Sequence, residues 1–140
     1  MDNCIFCKII NGEIPSTTIF EDNEFKVILD VSPATDGHAL ILPKKHYKDL
    51  NELDKSCSEK LLTIASKIGN GLMDTLGYEG YNIVQNNGEA AGQTVFHFHM
   101  HVIGRKKNGE SIVTWTPHSQ EAEIRTEIGN KLKEALTKNN

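Results

Sequence analysis

"TVFHFHMHVIGR", residues 94–105, decides the fold. β-Branched and aromatic side chains dominate it, and no glycine or proline interrupts it before Gly104, so it predicts the longest strand of the chain. Successive side chains of a strand point to opposite faces, which puts His97, His99 and His101 on one face and Phe98, Met100 and Val102 on the other. One face is apolar core and the other is imidazole. A lone strand histidine is ordinarily a satisfied structural residue, but three in register, half of the chain's six, point to chemistry. Two chemistries use such a row. The imidazoles can converge on a zinc ion with a position left open for water, or they can act themselves as nucleophile and acid–base groups near neutral pH. Spacing leaves both open.

The segment before the strand, "QNNGEAAGQTV" (residues 85–95), reads as a glycine-containing loop. Its small residues let backbone N–H groups approach an anion, and Asn86, Gln93 and Thr94 add neutral hydrogen-bonding side chains, a composition suited to phosphate. It is not a Walker loop, because no Gly-Lys-Ser/Thr ending and no following helix are present. "RKKNG" after the strand, with Arg105, Lys106 and Lys107, reads as a solvated basic turn.

Farther out, residues 17–30 predict a hairpin of two short strands. "VSPATDG" is turn chemistry that leads into a buried strand, "HALILPK", opened by His38 and closed by Pro43. "YNIVQN" predicts a further strand before the glycine loop. Between these lies a helical period: Leu61, Ile64, Ala65, Ile68, Leu72, Met73 and Leu76 recur at three and four, Ser56 with Glu59 forms a capping-box pattern, and Gly77 marks the end. Gly69 and Gly71 each weaken that helix by about 1 kcal/mol relative to alanine, so close packing against a neighbour is expected at both. A second amphipathic helix over about 119–137 keeps Ile124, Ile128, Leu132 and Leu136 on one face, with acids early and lysines late.

The 140 residues suffice for one domain with a real core, and neither a repeat nor a linker divides them. A net charge of −4 supplies no field for nucleic acid or an anionic membrane, so any phosphate must be held locally. No apolar run approaches the roughly 20 residues that span a bilayer, and the start lacks a signal-peptide pattern; a cytoplasmic protein is expected. Of three cysteines, Cys4 and Cys7 form a C-x-x-C for which metal binding or redox chemistry is the expectation, while Cys57 stands alone in a helix.

The motifs resemble the histidine-triad (HIT) family of nucleotide hydrolases and transferases. "HFHMHVI" fits the family pattern His-φ-His-φ-His-φ-φ without a mismatch. "CIFCKIINGEIPS", "ILDVSPATDGHALILPKKH" and "NNGEAAGQTVFHFHMHVIGR" occur in the order seen in small bacterial members. The resemblance covers residues 4–105 of an expected single domain, 1–140. It implies an α+β fold: an antiparallel sheet of about five strands, one long helix between the third and fourth, and a C-terminal helix. His99 matches the nucleophile that attacks the α-phosphorus and carries a covalent nucleotidyl group. His101 matches the histidine that contacts phosphate oxygens, a position held by glutamine in the transferase branch, so hydrolysis is implied. His38 matches an upstream member of the histidine network. Asn86, Gln93 and Thr94 match positions around the phosphates and leaving group, and Asp30 matches the acid that binds ribose hydroxyls. Cys4, Cys7, His46 and His97 match the ligands of a structural zinc. The implied partners are a purine nucleotide (nucleoside phosphoramidate or dinucleoside polyphosphate) and a second copy in a homodimer. In one branch a tryptophan near the C-terminus reaches the neighbouring subunit's site. Trp115 here precedes the last helix, so that branch's substrate preference does not carry over. Outside the family reading stand a hydrolase using His97, His99 and His101 as catalytic zinc ligands, and a non-catalytic nucleotide-binding module.

Overall fold

A computed structural model describes residues 3–138. Eight main elements follow one another: α1 (Ile5–Ile10), β1 (Thr18–Glu21), β2 (Phe25–Leu29), β3 (Ala39–Pro43), α2 (Lys55–Leu76), β4 (Gly80–Val84), β5 (Met100–Arg105) and α3 (Ala122–Lys138), with a short 3-10 turn at Glu89–Ala91. The strands form one antiparallel sheet in the order β1-β2-β3-β5-β4. The expected α+β architecture is therefore present, with the long helix between the third and fourth strands.

Period-two alternation divides the core between the two faces of the sheet. Phe25, Val27, Ala39, Ile41, Phe98, Met100 and Val102 pack against the stripe of α2 formed by Leu61, Ile64, Ala65, Ile68 and Leu72. On the opposite face Ile28, Leu40 and Leu42 pack against Phe6 and Ile9 of α1. Each fully buried aliphatic or aromatic side chain contributes about 1.5–3 kcal/mol, so alternation on both faces fixes register as well as stability. His101 pairs with Leu40 in the ladder and so faces α1.

Four features differ from the expectations. Strand β5 is the longest of the chain but begins only at Met100, and residues 94–99 lie outside the ladder. The pairing of β3 with β5 stops at Ile41 opposite Met100, two residues before Pro43, which has no N–H to offer. The Phe98 N–H donates instead to the Tyr47 carbonyl at 2.6 Å. Secondly, α2 is capped by Asp54, whose carboxylate accepts the Cys57 N–H at 2.8 Å, and Ser56 lies inside the helix with its hydroxyl donating to Glu24. A carboxylate one residue before the first turn satisfies an orphan N–H and the helix dipole together, which a serine does not. Thirdly, Gly69 and Gly71 part company: a Cβ on Gly69 would lie 2.5 Å from ring carbons of Tyr81, whereas one on Gly71 would meet nothing within 4 Å. Lastly, α1 had no signal of its own in the sequence. Its N-cap is Cys4, whose Sγ accepts the Cys7 N–H at 3.3 Å.

Ile124, Ile128, Leu132 and Leu136 of α3 are all exposed, as is every described residue from 106 onward. Among the described residues no helix is long and apolar enough to cross a membrane.

Candidate functional site

Helix α1 brings Cys4 and Cys7 to one end of the sheet, where they meet His46, three residues past β3, and His97, three residues before β5. The two Nδ1 atoms stand 3.2 Å apart; Cys4 Sγ lies 3.4 Å from His97 Nδ1, and Cys7 Sγ lies 3.4 and 3.5 Å from the Nδ1 atoms of His46 and His97. A tetrahedral zinc with bonds of about 2.3 Å to sulfur and 2.0–2.1 Å to nitrogen has ligand–ligand edges of about 3.3–3.8 Å. The quartet matches in donor type and spacing. His97 Nε2–H donates to the Pro43 carbonyl at 2.9 Å, so its neutral ring presents the Nδ1 lone pair to the quartet. Burial, followed by the adjoining Cys4, pushes the Cys7 thiol up to about 11, a penalty that a bound dication reverses.

His99 stands outside the quartet. Its Nδ1–H donates to the His97 carbonyl at 2.8 Å, which leaves Nε2 with a free lone pair. Its ring packs edge-on against Phe6, centroids 4.9 Å apart, and stands 5.1 Å from the ring of His101. A directional chain ends at His101. The Ala34 N–H donates to His38 Nδ1 at 3.0 Å, so His38 carries its proton on Nε2 and donates it to His101 Nδ1 at 2.8 Å; His101 in turn carries its own proton on Nε2. Asp30 Oδ2 lies 3.7 Å from His38 Nε2, and Asp30 Oδ1 accepts the Ser32 N–H at 2.8 Å. Burial keeps these rings neutral: it holds His38 and His99 below the usual imidazole range and, with neighbouring imidazoles as a smaller cause, His101 down to about 4.

The three triad histidines do not converge on one point. His97 belongs to the cysteine quartet; Asp30, His38 and His101 form the other group of metal-ligating type among the described residues, and His99 belongs to neither. The 2.8 Å between His38 and His101 is a hydrogen-bond length, well under the zinc edge of about 3.3 Å. The loop before β5 is organised by Gln93, which is 3% exposed: its Oε1 accepts the Gly88 N–H, and its Nε2 donates to the carbonyls of Lys48 and Val95. Asn86 is half-buried on the same loop, next to Gly92, and Thr94 is exposed on a cavity it shares with Cys4, His46 and Phe96.

The sequence model of the HIT domain matches residues 11–108. The chain belongs to the HIT family. Among HIT relatives it is 40% identical to the protein hit of Bacillus subtilis over 121 residues, spanning 86% of this chain and 83% of that one. It is 36% identical to the adenosine 5′-monophosphoramidase HNT1 of Candida albicans over 141 residues, spanning 97% and 93%. The crystal structure of a HIT family protein from Bacillus anthracis superposes with a TM-score of 0.86 at 37% identity, covering 96% of this chain and 97% of that one. A Zn-bound histidine triad family protein from Mycobacterium smegmatis superposes with a TM-score of 0.75 at 32% identity, covering 96% and 98%.

Around the HIT signature the structure adds groups that motif reading passed over. Phe6 walls the rings of both His97 and His99, and its place between the two motif cysteines was the only available signal. The carbonyls of Pro43, Tyr47 and Lys48 and the Ala34 N–H are backbone groups, which no residue-type pattern marks.

Proposed function

We propose that this HIT protein hydrolyses purine nucleoside phosphoramidates or dinucleoside polyphosphates at the α-phosphorus, through a nucleotidyl group carried on His99. One observation carries the reading: with Nδ1–H committed to the His97 carbonyl, His99 Nε2 is a free lone pair on a ring that burial keeps neutral. In the first half-reaction Nε2 forms the bond to phosphorus, and the amine or phosphate leaves with the electrons of the bond that breaks. A departing amine takes one proton from solvent as the P–N bond breaks. Water then attacks the phosphorus, the electrons of the P–Nε2 bond return to Nε2, and the attacking water releases one proton to solvent. The Nε2–H of His101 donates to the phosphate oxygens as their charge grows, and His38 holds that proton in place. Thr94 and Asn86 contact phosphate and leaving group, Gln93 sets the loop that carries them, and Asp30 accepts the ribose hydroxyls.

Cys4, Cys7, His46 and His97 would hold a zinc ion as a structural tie through two thiolates and two imidazoles, and the chemistry at phosphorus would stay with His99 and His101. The same reading makes the protein a homodimer, for which β4, at one edge of the sheet with Ile83 exposed, offers a free pairing surface. Light scattering on the eluting protein checks that mass.

The test is AMP release from adenosine monophosphoramidate and from diadenosine polyphosphates, with mass spectrometry of the peptide that carries His97 and His101. Wild type should release AMP and show an AMP adduct on that peptide. His99→Ala should release it at least about 100-fold more slowly. Equal rates in the two proteins refute the mechanism, and nucleotide binding without turnover makes the protein a binding module.

A further inference from the structure

The His97 carbonyl alone decides which nitrogen of His99 is free, and it belongs to a residue outside the sheet. The ladder starts at Met100, and residues 95–97 run as bends. What holds this stretch is the segment 46–48 beside it: the Phe98 N–H donates to the Tyr47 carbonyl at 2.6 Å, Gln93 Nε2 donates to the Lys48 carbonyl at 2.7 Å, and His46 Nδ1 faces His97 Nδ1 at 3.2 Å. The first two contacts flank His97. Two polar contacts act on its side chain, the Nε2–H bond to Pro43 and the meeting of Nδ1 with Cys4, Cys7 and His46, and the edge of Phe6 walls the ring. The His97 carbonyl and the Phe98 N–H belong to one planar peptide unit, so that unit is held from the Tyr47 carbonyl on one side and through the His97 ring on the other, and the quartet ties both holds together through His46 and His97.

We infer that occupancy of the Cys4–Cys7–His46–His97 centre controls the nucleophile, because a metal there locks His97 and the His97 carbonyl locks the proton of His99 on Nδ1. This rests on the reading of His99 as nucleophile and of the quartet as a zinc centre. It makes the centre a regulator of the site as well as a structural tie. His97 is a positioning residue: its ring serves the metal and its carbonyl serves the reacting ring. A cation satisfies all four donor atoms at once. Without one, the four are held together only by the thiol protons they share. The phosphate and ribose contacts of His101 and Asp30 lie outside this path, in a group of their own. Loss of metal should therefore lower kcat and leave KM in place.

The experiment compares zinc-loaded wild type, chelator-stripped wild type and Cys4→Ser. Two quantities are read: kcat and KM for adenosine monophosphoramidate, and the His99 tautomer from long-range ¹H–¹⁵N NMR, with circular dichroism as the check on folding. Stripped protein and Cys4→Ser should lose about 10–100-fold in kcat, the usual effect of losing an orienting partner around a metal site. KM should stay within about twofold, and zinc should restore the stripped protein. The NMR should show one His99 tautomer, protonated on Nδ1, with zinc and a mixture without. A folded, stripped protein with the loaded kcat, or with an unchanged single tautomer, overturns the inference. If stripping unfolds the chain, cadmium-loaded protein replaces it: its longer bonds move His97 without emptying the site, and an unchanged kcat and tautomer there overturn the inference equally. Zinc-loaded wild type that releases no AMP refutes the proposed hydrolysis instead, and the tautomer comparison still judges the coupling.

Discussion

Two glycines two residues apart on one helix should respond to alanine with opposite signs. Gly69 and Gly71 both lie inside α2, so each alanine substitution recovers about 1 kcal/mol of helix propensity. Their surroundings differ. The new Cβ at 69 would sit 2.5 Å from Cε1 and Cε2 of Tyr81, more than 1 Å inside a carbon–carbon contact of about 3.5–4.0 Å; at 71 it would meet nothing within 4 Å. Relieving that overlap moves the Tyr81 ring, and through it β4, at an overpacking cost of about 1–3 kcal/mol. Propensity cancels between the variants, so Gly71→Ala should exceed Gly69→Ala in stability by about 1–3 kcal/mol. Against wild type, Gly71→Ala should raise Tm by about 3–5 °C, and Gly69→Ala should be neutral to about 2 kcal/mol destabilised. Urea titration by circular dichroism on both variants measures the difference. In a Tyr81→Ala background the Gly69→Ala change should itself become stabilising, because the ring it strikes is gone. Equal stabilities for the two single variants, or an unaltered Gly69→Ala cost without the ring, would refute the seating of Tyr81 on Gly69.

Other outcomes follow from the site. His38→Ala removes the donor to His101 Nδ1 and the acceptor of the Ala34 N–H; with about 1–3 kcal/mol at stake, kcat for AMP release should fall about 5–150-fold. Gln93→Ala strips a buried side chain with three backbone partners, so the protein should lose about 1–3 kcal/mol in urea titration and KM should rise as the 85–95 loop loosens. The pH dependence has a definite sign. His101 has a folded pKa near 4 against about 6.5 unfolded, so below pH 6.5 the unfolded chain binds more protons and stability falls as pH is lowered toward 4. His101→Gln should reduce the slope of the urea midpoint across that window without abolishing it, because burial holds His38 and His99 low as well, and a wild-type midpoint that rises on acidification contradicts the buried neutral ring.

Legibility in the sequence tracked how local each determinant is. The α2 stripe and the Phe98, Met100, Val102 alternation were readable because their periods of 3.6 and 2 survive in the folded chain. The capping box at Ser56 and Glu59 does not form because the Ser56 hydroxyl is spent on Glu24, 32 residues away, while Asp54 accepts the Cys57 N–H, and that long-range contact leaves no local mark. At six residues α1 is too short for a periodic signal, so its cysteines were visible and the helix between them was not. The apolar stripe of α3 was legible, while its exposure was not, since a stripe states what can be buried and not what covers it. The backbone acceptors at Pro43, Tyr47 and Lys48 join residues 45–54 apart through groups common to every residue, and no reading of side-chain types could mark them.

The shortfall of β5 is what separates the three histidines. In an unbroken strand, side chains two residues apart repeat about 6.6–6.8 Å along the chain with one orientation, and His97, His99 and His101 would be equivalent. The ladder orients only His101, paired with Leu40 and facing α1. It ends because Pro43, which would stand opposite Phe98, has no N–H to give; unpaired on the β5 side, the Pro43 carbonyl takes the His97 Nε2–H, and the Phe98 N–H goes to Tyr47. The bends that follow turn the His97 ring onto His46, centroids 4.9 Å apart, and leave its carbonyl for His99. A proline at the end of β3 thus converts a repeating pattern into three different environments: a ring in the cysteine quartet, a ring with a free Nε2 and a ring held as a donor. Restoring regular pairing through residue 97 would return the three imidazoles to equivalence and dissolve the quartet together with the fixed tautomer of His99.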